Sequence, residues 1–131
     1  MKIGYKALID AAEKEIETLS PEEAFARHGD ENVVFVDLRD IRELYRLGKI
    51  PGALHAPRGM LEFWVDPDSP YHREVFARNA QFIFYCQSGW RSALATQAVQ
   101  RMGLERVCHI GGGYTAWTET GGPTEPVVPK A

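Results

Sequence analysis

Three apolar runs constrain the fold of this chain more than any other feature: VVFVD at residues 33–37, QFIFYC at 81–86 and RVCHI at 106–110. They are rich in β-branched and aromatic residues, and they lack the polar alternation of a strand with one face in water. Helical patterns separate the runs. Buried strands that alternate with helices predict an α/β domain with a mostly parallel sheet and helices on both of its faces.

Helical periodicity and turn signals divide the chain into one domain with two appendages. Residues 1–18 form a predicted amphipathic N-terminal helix, with apolar residues three and four positions apart. Residues 19–120 hold the domain, and residues 121–131 form a Pro-rich tail that we expect to be mobile. The smaller predicted elements are a first strand in IETLS at 16–20, a helix at about 21–28, a helix that stops at Gly48, a short strand at about 53–56, a helix at 71–78 and a helix from Arg91 to Met102.

The composition is that of one domain of 131 residues, with a formal net charge of −3. Mixed charges of this kind predict no nucleic-acid partner. No apolar run reaches the roughly 20 residues that cross a bilayer, and the N-terminus lacks the apolar core of a signal peptide, so we expect no membrane partner. Two free thiols predict a reducing, cytoplasmic location. Two cysteines without a CxxC and four scattered histidines predict neither a disulfide framework nor a metal site.

The stretch FYCQSGWRSALA, residues 84–95, places Cys86 at the carboxyl end of a strand, where ligands bind in parallel α/β folds. The next helix points its N-terminal N–H groups at the sulfur, Gly89 permits a tight turn, and Arg91 adds a positive charge. These features favour the thiolate, which is the nucleophilic form. Cys86 is therefore the candidate catalytic residue, and the candidate substrate-binding residues are Gln87, Ser88, Gly89, Trp90, Arg91 and Ser92.

The loop resembles the active-site loop of rhodanese-like sulfurtransferases, in which a cysteine, a short Gly-containing turn and often Arg-Ser precede a helix. Two more blocks are similar to that family: FVDLRD with ELYRLGKIPGALHAP, and the late HIGGGYTAW. The blocks follow the family order from about residue 19 to 118. The resemblance implies a five-stranded sheet, usually ordered 1-5-4-2-3, and a thiosulfate sulfurtransferase without metal or organic cofactor. Cys86 would carry sulfur as a persulfide from a thiosulfate-like donor to a thiol or to cyanide.

Several residues outside the loop are candidates for supporting it. Asp37 and Arg39 lie at a strand end, which favours a structural role at the rim of the active site, and Asp37 is a candidate partner for Arg91. Arg58 follows the short strand on the same side of the sheet. Near Arg58, we expect Phe63 to pack in the interior and Glu62 and Trp64 to lie at the rim of the site. The three glycines at 111–113 predict a structural turn. Cys108 is interpreted as a core residue, with a resolving thiol as the minor alternative.

Two other functions compete with sulfur transfer. Cysteine phosphatases and arsenate reductases place five residues between cysteine and arginine, whereas four separate Cys86 from Arg91, so the loop is one residue short for a phosphoryl group. A non-catalytic binding module on the same fold often loses the cysteine, which this chain keeps. The physiological donor and acceptor stay open, and so does a homodimer formed through the N-terminal helix.

Overall fold

A computed structural model describes residues 1–130 of the chain. In this range the strands are β1 (Glu17–Leu19), β2 (Val33–Asp37), β3 (Leu54–His55), β4 (Gln81–Tyr85) and β5 (Val107–Ile110). The α-helices are α1 (Tyr5–Glu15), α2 (Pro21–Arg27), α3 (Ile41–Leu47), α4 (Leu61–Val65), α5 (Trp90–Met102) and α6 (Gly113–Glu119). Short 3-10 turns span Arg58–Met60 and Glu74–Ala77.

The strands form a single five-stranded sheet in the order β1-β5-β4-β2-β3, and every neighbouring pair is parallel. This confirms the predicted fold class, including its helices on both faces and the expected strand order. The candidate first strand in IETLS is confirmed as β1, whose Leu19 pairs in register with Ile110 and is buried. Since all strands run the same way, their carboxyl ends meet at one edge, and Cys86 follows β4 at that edge.

Both faces of the sheet are covered, which explains the uninterrupted apolar runs. Alternate residues of β4 point to opposite faces. Phe82 and Phe84 pack into one core with residues of α4 and α5, while Ile83 and Tyr85 pack into a second core with Trp117 of α6. Full burial of one such side chain stabilises the fold by about 1.5–3 kcal/mol, so the four buried side chains of β4 anchor the strand that leads to Cys86.

The N-terminal helix α1 packs against α5. Ile9 and Ala12 are buried in a small cluster with Ala93 of α5. Near the start of both helices, the Tyr5 ring lies 5.1 Å from the ring of Trp90. The appendage therefore flanks the helix that begins directly after the cysteine loop. None of the helices described in residues 1–130 combines the length and the apolar character that crossing a bilayer requires.

Three local expectations differ from the structure. The helix expected at 71–78 is only the 3-10 turn Glu74–Ala77, because Pro67, Pro70 and short turns leave no helical periodicity around it. Phe63 does not pack: 54% of it is exposed, and Trp64 contacts the core instead. The tail is anchored rather than loose, at least as far as Glu125, whose backbone makes two 2.9 Å hydrogen bonds with the backbone of Lys49.

Candidate active site

The sulfur of Cys86 lies in a nest of backbone donors. The N–H groups of Gly89 and Ser92 point to Sγ at 3.2 and 3.3 Å, and the hydroxyl of Ser92 is 3.5 Å from it. Gly89 has a φ of 97° and forms the N-cap of α5, a conformation that glycine adopts without strain. The loop therefore aims the positive end of the helix dipole at the sulfur, as the sequence predicts.

The glycine-rich turn before α6 supports this loop from behind. The N–H groups of Tyr114 and Thr115 donate to the carbonyls of Cys86 and Gln87, at 2.8 and 3.0 Å. A Cβ on Gly113 would lie 2.5 Å from the Cys86 carbonyl oxygen, so the close approach requires glycine at this position. The turn is structural, in line with the interpretation of the sequence, and its partner is the cysteine loop itself.

Arg39 links the end of β2 to the cysteine loop. Its guanidinium is fully buried, donates to Asp37 at 2.6 and 3.0 Å, and lies 4.2 Å from the centre of the Tyr114 ring. A further donor reaches Oε1 of Gln87 at 3.1 Å, and Gln87 in turn donates to Thr115 at 2.9 Å. Burial alone would lower the pKa of Arg39, but the bonds and charge of Asp37 outweigh it, so the pKa is raised and the charge is kept. The amide of Gln87 thus holds the loop in place.

The expected pair between Asp37 and Arg91 is wrong. Asp37 is taken up by Arg39, and Arg91 donates instead to both carboxylate oxygens of Glu43 on α3, at 2.8 and 3.0 Å. The hydrogen bonds to Glu43 are the main cause that raises the pKa of Arg91, and the charge of the Cys86 sulfur adds to it. The guanidinium therefore lies within electrostatic range of the sulfur while its charge is balanced by a carboxylate.

The other candidate residues lie farther from the sulfur nest. Ser88 and Trp90 are exposed, with Trp90 stacked on Tyr5. Arg58 donates to Glu62 at 2.7 Å, and its backbone N–H donates to the carbonyl of Leu38, just beyond the end of β2. Arg58 thus lies at the correct edge of the sheet, with its charge paired.

Behind the sulfur lies a row of polar side chains, of which the sequence interpretation found Ser92 and missed His109 and Thr18. The hydroxyl of Ser92 is 2.9 Å from Nδ1 of His109, and Nε2 of that ring is 3.1 Å from the hydroxyl of Thr18. Burial lowers the pKa of His109 to about 4. The strand order could have indicated His109. It lies near the end of β5, the strand beside β4, so its side chain lies close to residues that follow Cys86.

Cys108 differs from Cys86 in its surroundings, since Cys86 lies at the carboxyl edge of the sheet against N–H donors. Cys108 is buried in the middle of the sheet, and burial raises the pKa of its thiol to about 12. Within residues 1–130, no group of three or more His, Cys, Asp or Glu side chains is arranged to hold a metal ion. The candidate nucleophile at this edge of the sheet is therefore the sulfur of Cys86, which N–H donors surround.

The chain belongs to the rhodanese-like domain family, whose model matches residues 20–120. It is 34% identical to thiosulfate sulfurtransferase 16 of Arabidopsis thaliana over 97 residues, which cover 70% of this chain and 78% of that protein. The chain also matches a longer relative from Bacillus subtilis, of which the match spans 43%.

Two solved structures extend the comparison. A protein of unknown function from Rhodopseudomonas palustris, described as a possible tyrosine phosphatase, is 51% identical with a TM-score of 0.93, and the match covers 95% of this chain and 96% of that one. The polysulfide-sulfur transferase homodimer of Wolinella succinogenes is 27% identical with a TM-score of 0.71, and the match covers 94% and 88%. Sulfur transfer and phosphate chemistry are therefore the two functions to weigh.

Proposed function

We propose that the protein is a sulfurtransferase that moves a sulfane sulfur from thiosulfate or a similar donor to a thiophilic acceptor, through a persulfide on Cys86. The observation that carries the proposal is the nest of two N–H donors around a single sulfur, at 3.2 and 3.3 Å. Donors at these distances stabilise a sulfur anion, whether it is the thiolate or the outer sulfur of a persulfide.

In the first half-reaction the Cys86 thiolate attacks the outer sulfur of thiosulfate. A new S–S bond forms at Cys86, the S–S bond of thiosulfate breaks, and sulfite leaves with the electron pair of that bond. The protein is left with a persulfide anion, which is a covalent intermediate of the ping-pong type. The N–H groups that contact Sγ also lie close enough to help stabilise the negative charge of the persulfide.

In the second half-reaction an acceptor thiolate or cyanide attacks the outer sulfur of the persulfide. The bond between the two sulfurs breaks, its electron pair returns to Cys86 as thiolate, and the acceptor leaves as a persulfide or as thiocyanate. No external oxidant or reductant is consumed. The chain's own donors supply the stabilisation, which supports a mechanism without metal or organic cofactor.

Phosphate transfer is the second candidate, because of the possible tyrosine phosphatase from Rhodopseudomonas palustris. A phosphoryl group places three oxygens in the loop, which requires a wider loop than a single sulfur atom does. Four residues separate Cys86 from Arg91. The two terminal nitrogens of the Arg91 guanidinium both donate to Glu43. A short loop with a paired arginine favours a single sulfur atom over a tetrahedral phosphoryl group.

The proposal includes a setting and partners. A cytoplasmic location would supply the thiol acceptors, and a small sulfur compound would be the donor. A homodimer is the proposed assembly, by analogy with the Wolinella succinogenes homodimer. On this chain α1 already uses Ile9 and Ala12 against α5, so a second copy would contact the part of α1 that stays exposed, which includes Leu8.

The test is intact-mass spectrometry after incubation with thiosulfate in the absence of an acceptor. The wild-type protein should become heavier by one sulfur atom, and cyanide should remove the mass and yield thiocyanate. Cys86→Ser should never gain it, because a hydroxyl forms no persulfide, whereas Cys108→Ser should behave like the wild type. A phosphatase substrate assayed in parallel should remain uncleaved.

Two results would reject the proposal. One is a protein that gains no cyanide-labile sulfur from thiosulfate or from a polysulfide, which a binding module or a phosphatase would give. The other is an adduct that persists in Cys86→Ser and is lost in Cys108→Ser, which would place the chemistry on the wrong sulfur.

A further inference from the structure

The sulfur-transfer steps leave one row of polar side chains unused, formed by Thr18, His109 and Ser92. Register places Thr18 on β1 beside His109 on β5, and His109 beside Phe84 on β4, two residues before Cys86. His109 and Ser92 are buried, whereas Thr18 is exposed. The row therefore runs across the edge of the sheet from the surface to the nucleophilic sulfur.

The row can be hydrogen-bonded in two directions. A neutral imidazole donates from one nitrogen and accepts at the other, and the lowered pKa of His109 keeps the ring neutral near pH 7. In the first direction the S–H of Cys86 donates to Ser92, the hydroxyl of Ser92 donates to Nδ1, and Nε2–H donates to Thr18. In the second direction Thr18 donates to Nε2, Nδ1–H donates to Ser92, and Ser92 donates to the sulfur.

The two directions differ by one proton. The first converts to the second when the proton of Cys86 passes to Ser92, that of Ser92 to Nδ1, that of Nε2 to Thr18, and the hydroxyl proton of Thr18 to water. Within the row only the sulfur changes its charge, the water that takes the proton becomes hydronium, and no alkoxide or imidazolium accumulates. Loss of the proton along the row thus produces the arrangement in which Ser92 donates to a sulfur anion.

We infer that Thr18, His109 and Ser92 form a hydrogen-bond relay that, once the thiol proton of Cys86 is lost, holds the Ser92 hydroxyl as a donor to the sulfur anion. Cys86 is only 1% exposed while Thr18 reaches solvent, so the row links the buried sulfur loop to the surface through side chains. His109 acts through Ser92 and is a positioning residue. The relay's role in persulfide stabilisation rests on the proposed function, whereas its effect on the thiolate does not.

The test measures the alkylation rate of Cys86 by iodoacetamide at neutral pH, in a Cys108→Ser background. Ser92→Ala and His109→Leu should each slow alkylation roughly tenfold, the size expected for one hydrogen bond to an anion. The double variant should be no slower than the slower single variant, because His109 acts only through Ser92. His109→Asn keeps an amide that can donate to Ser92 and should recover most of the rate.

Thr18 provides the second measurement, in case substitution of the buried ring impairs folding. Thr18→Val removes the hydroxyl at an exposed site and should slow alkylation several-fold, whereas Thr18→Ser should match the background protein. Additive losses in the double variant, equal rates for His109→Asn and His109→Leu, or a full rate in Thr18→Val would each overturn the relay. Because iodoacetamide reads the thiolate without a sulfur donor, failed sulfur loading by the wild type would reject the proposed function and leave the relay standing.

Discussion

Arg91 and Glu43 form a two-pronged ion pair, with donor–acceptor distances of 2.8 and 3.0 Å, between the first turn of α5 and the first turn of α3. An arginine in the first turn of a helix opposes the helix dipole, and the carboxylate of Glu43 offsets that cost. Glu43 also accepts from the N-cap of α3, so its position is fixed from two sides. The pair ties the cysteine loop to the segment that follows β2.

The first prediction concerns this pair. Arg91→Ala should slow sulfur transfer about tenfold and lower the free energy of unfolding by about 1 kcal/mol, a value kept small because 41% of the Arg91 side chain is exposed. Arg91→Lys should restore only part of the rate, since an ammonium group cannot bind both oxygens in the same way. Steady-state kinetics and urea unfolding are the measurements.

Arg42→Ala is the matched control for that experiment. It breaks an ion pair with Asp40 in which both side chains are largely exposed, so rate and stability should change little. An unchanged rate of sulfur transfer in Arg91→Ala would contradict the prediction and indicate that Arg91 is a solvated helix residue without a role at the sulfur.

The second prediction concerns the turn that supports the cysteine loop. Gly113→Ala would place a Cβ 2.5 Å from the Cys86 carbonyl at a φ of +61°, and should abolish sulfur loading and cost roughly 3 kcal/mol or more. Gly121→Ala is the control, with a φ of +86° and no atom within 4 Å of the new Cβ. It should cost about 1 kcal/mol and keep full activity. Equal behaviour of both variants would show that backbone strain, and not contact with the loop, governs the effect.

The third prediction separates the two thiols without mutation. Because burial raises the pKa of Cys108 to about 12, that sulfur is almost entirely protonated near pH 8 and should resist alkylation in the native protein. Mass spectrometry should find one label, on Cys86, under native conditions and two labels in denaturant. A native protein labelled first at Cys108 would contradict this assignment.

The fourth prediction follows from the lowered pKa of His109. Between about 6.5, its ordinary value, and about 4, the unfolded chain binds a proton that the folded protein does not. The free energy of unfolding should therefore fall as the pH falls through this range, by about 3 kcal/mol at most. Urea unfolding at about pH 7.5 and about pH 5 should show a smaller fall in His109→Asn than in the wild type. Equal pH dependence in both proteins would contradict the prediction.

The fold was largely predictable because its signals are local. Uninterrupted apolar strands, capping residues and glycines determined the elements, whereas the strand order was predicted from the family resemblance. The weakest signal belonged to β1, since Glu17 and Thr18 are exposed and only Leu19 carries an apolar side chain into the core. The short 3-10 turn Glu74–Ala77 could not be told from an α-helix in the sequence, because four residues are too few to establish a helical period.

The partners within the site were less predictable than the residues that line the sulfur. The loop sequence indicated the N–H donors directly, since they follow from the turn and the helix. Which carboxylate meets Arg91 depends on how α3 lies across the end of the sheet, and Glu43 had the signature of a capping residue. His109 is 23 residues from Cys86 in sequence, so only knowledge of the strand order places it there.

The contact between the cysteine loop and the glycine turn has a consequence for protein engineering. The two N–H bonds from Tyr114 and Thr115 fix the loop at Cys86 and Gln87, so the loop and the turn behave as one part made of two distant segments. A graft of residues 86–92 alone onto another scaffold would lose that support. A transplant that also carries residues 111–115, at the same spacing from the recipient strand, would preserve the sulfur nest. Widening the loop by one inserted residue would require both segments to be redesigned together.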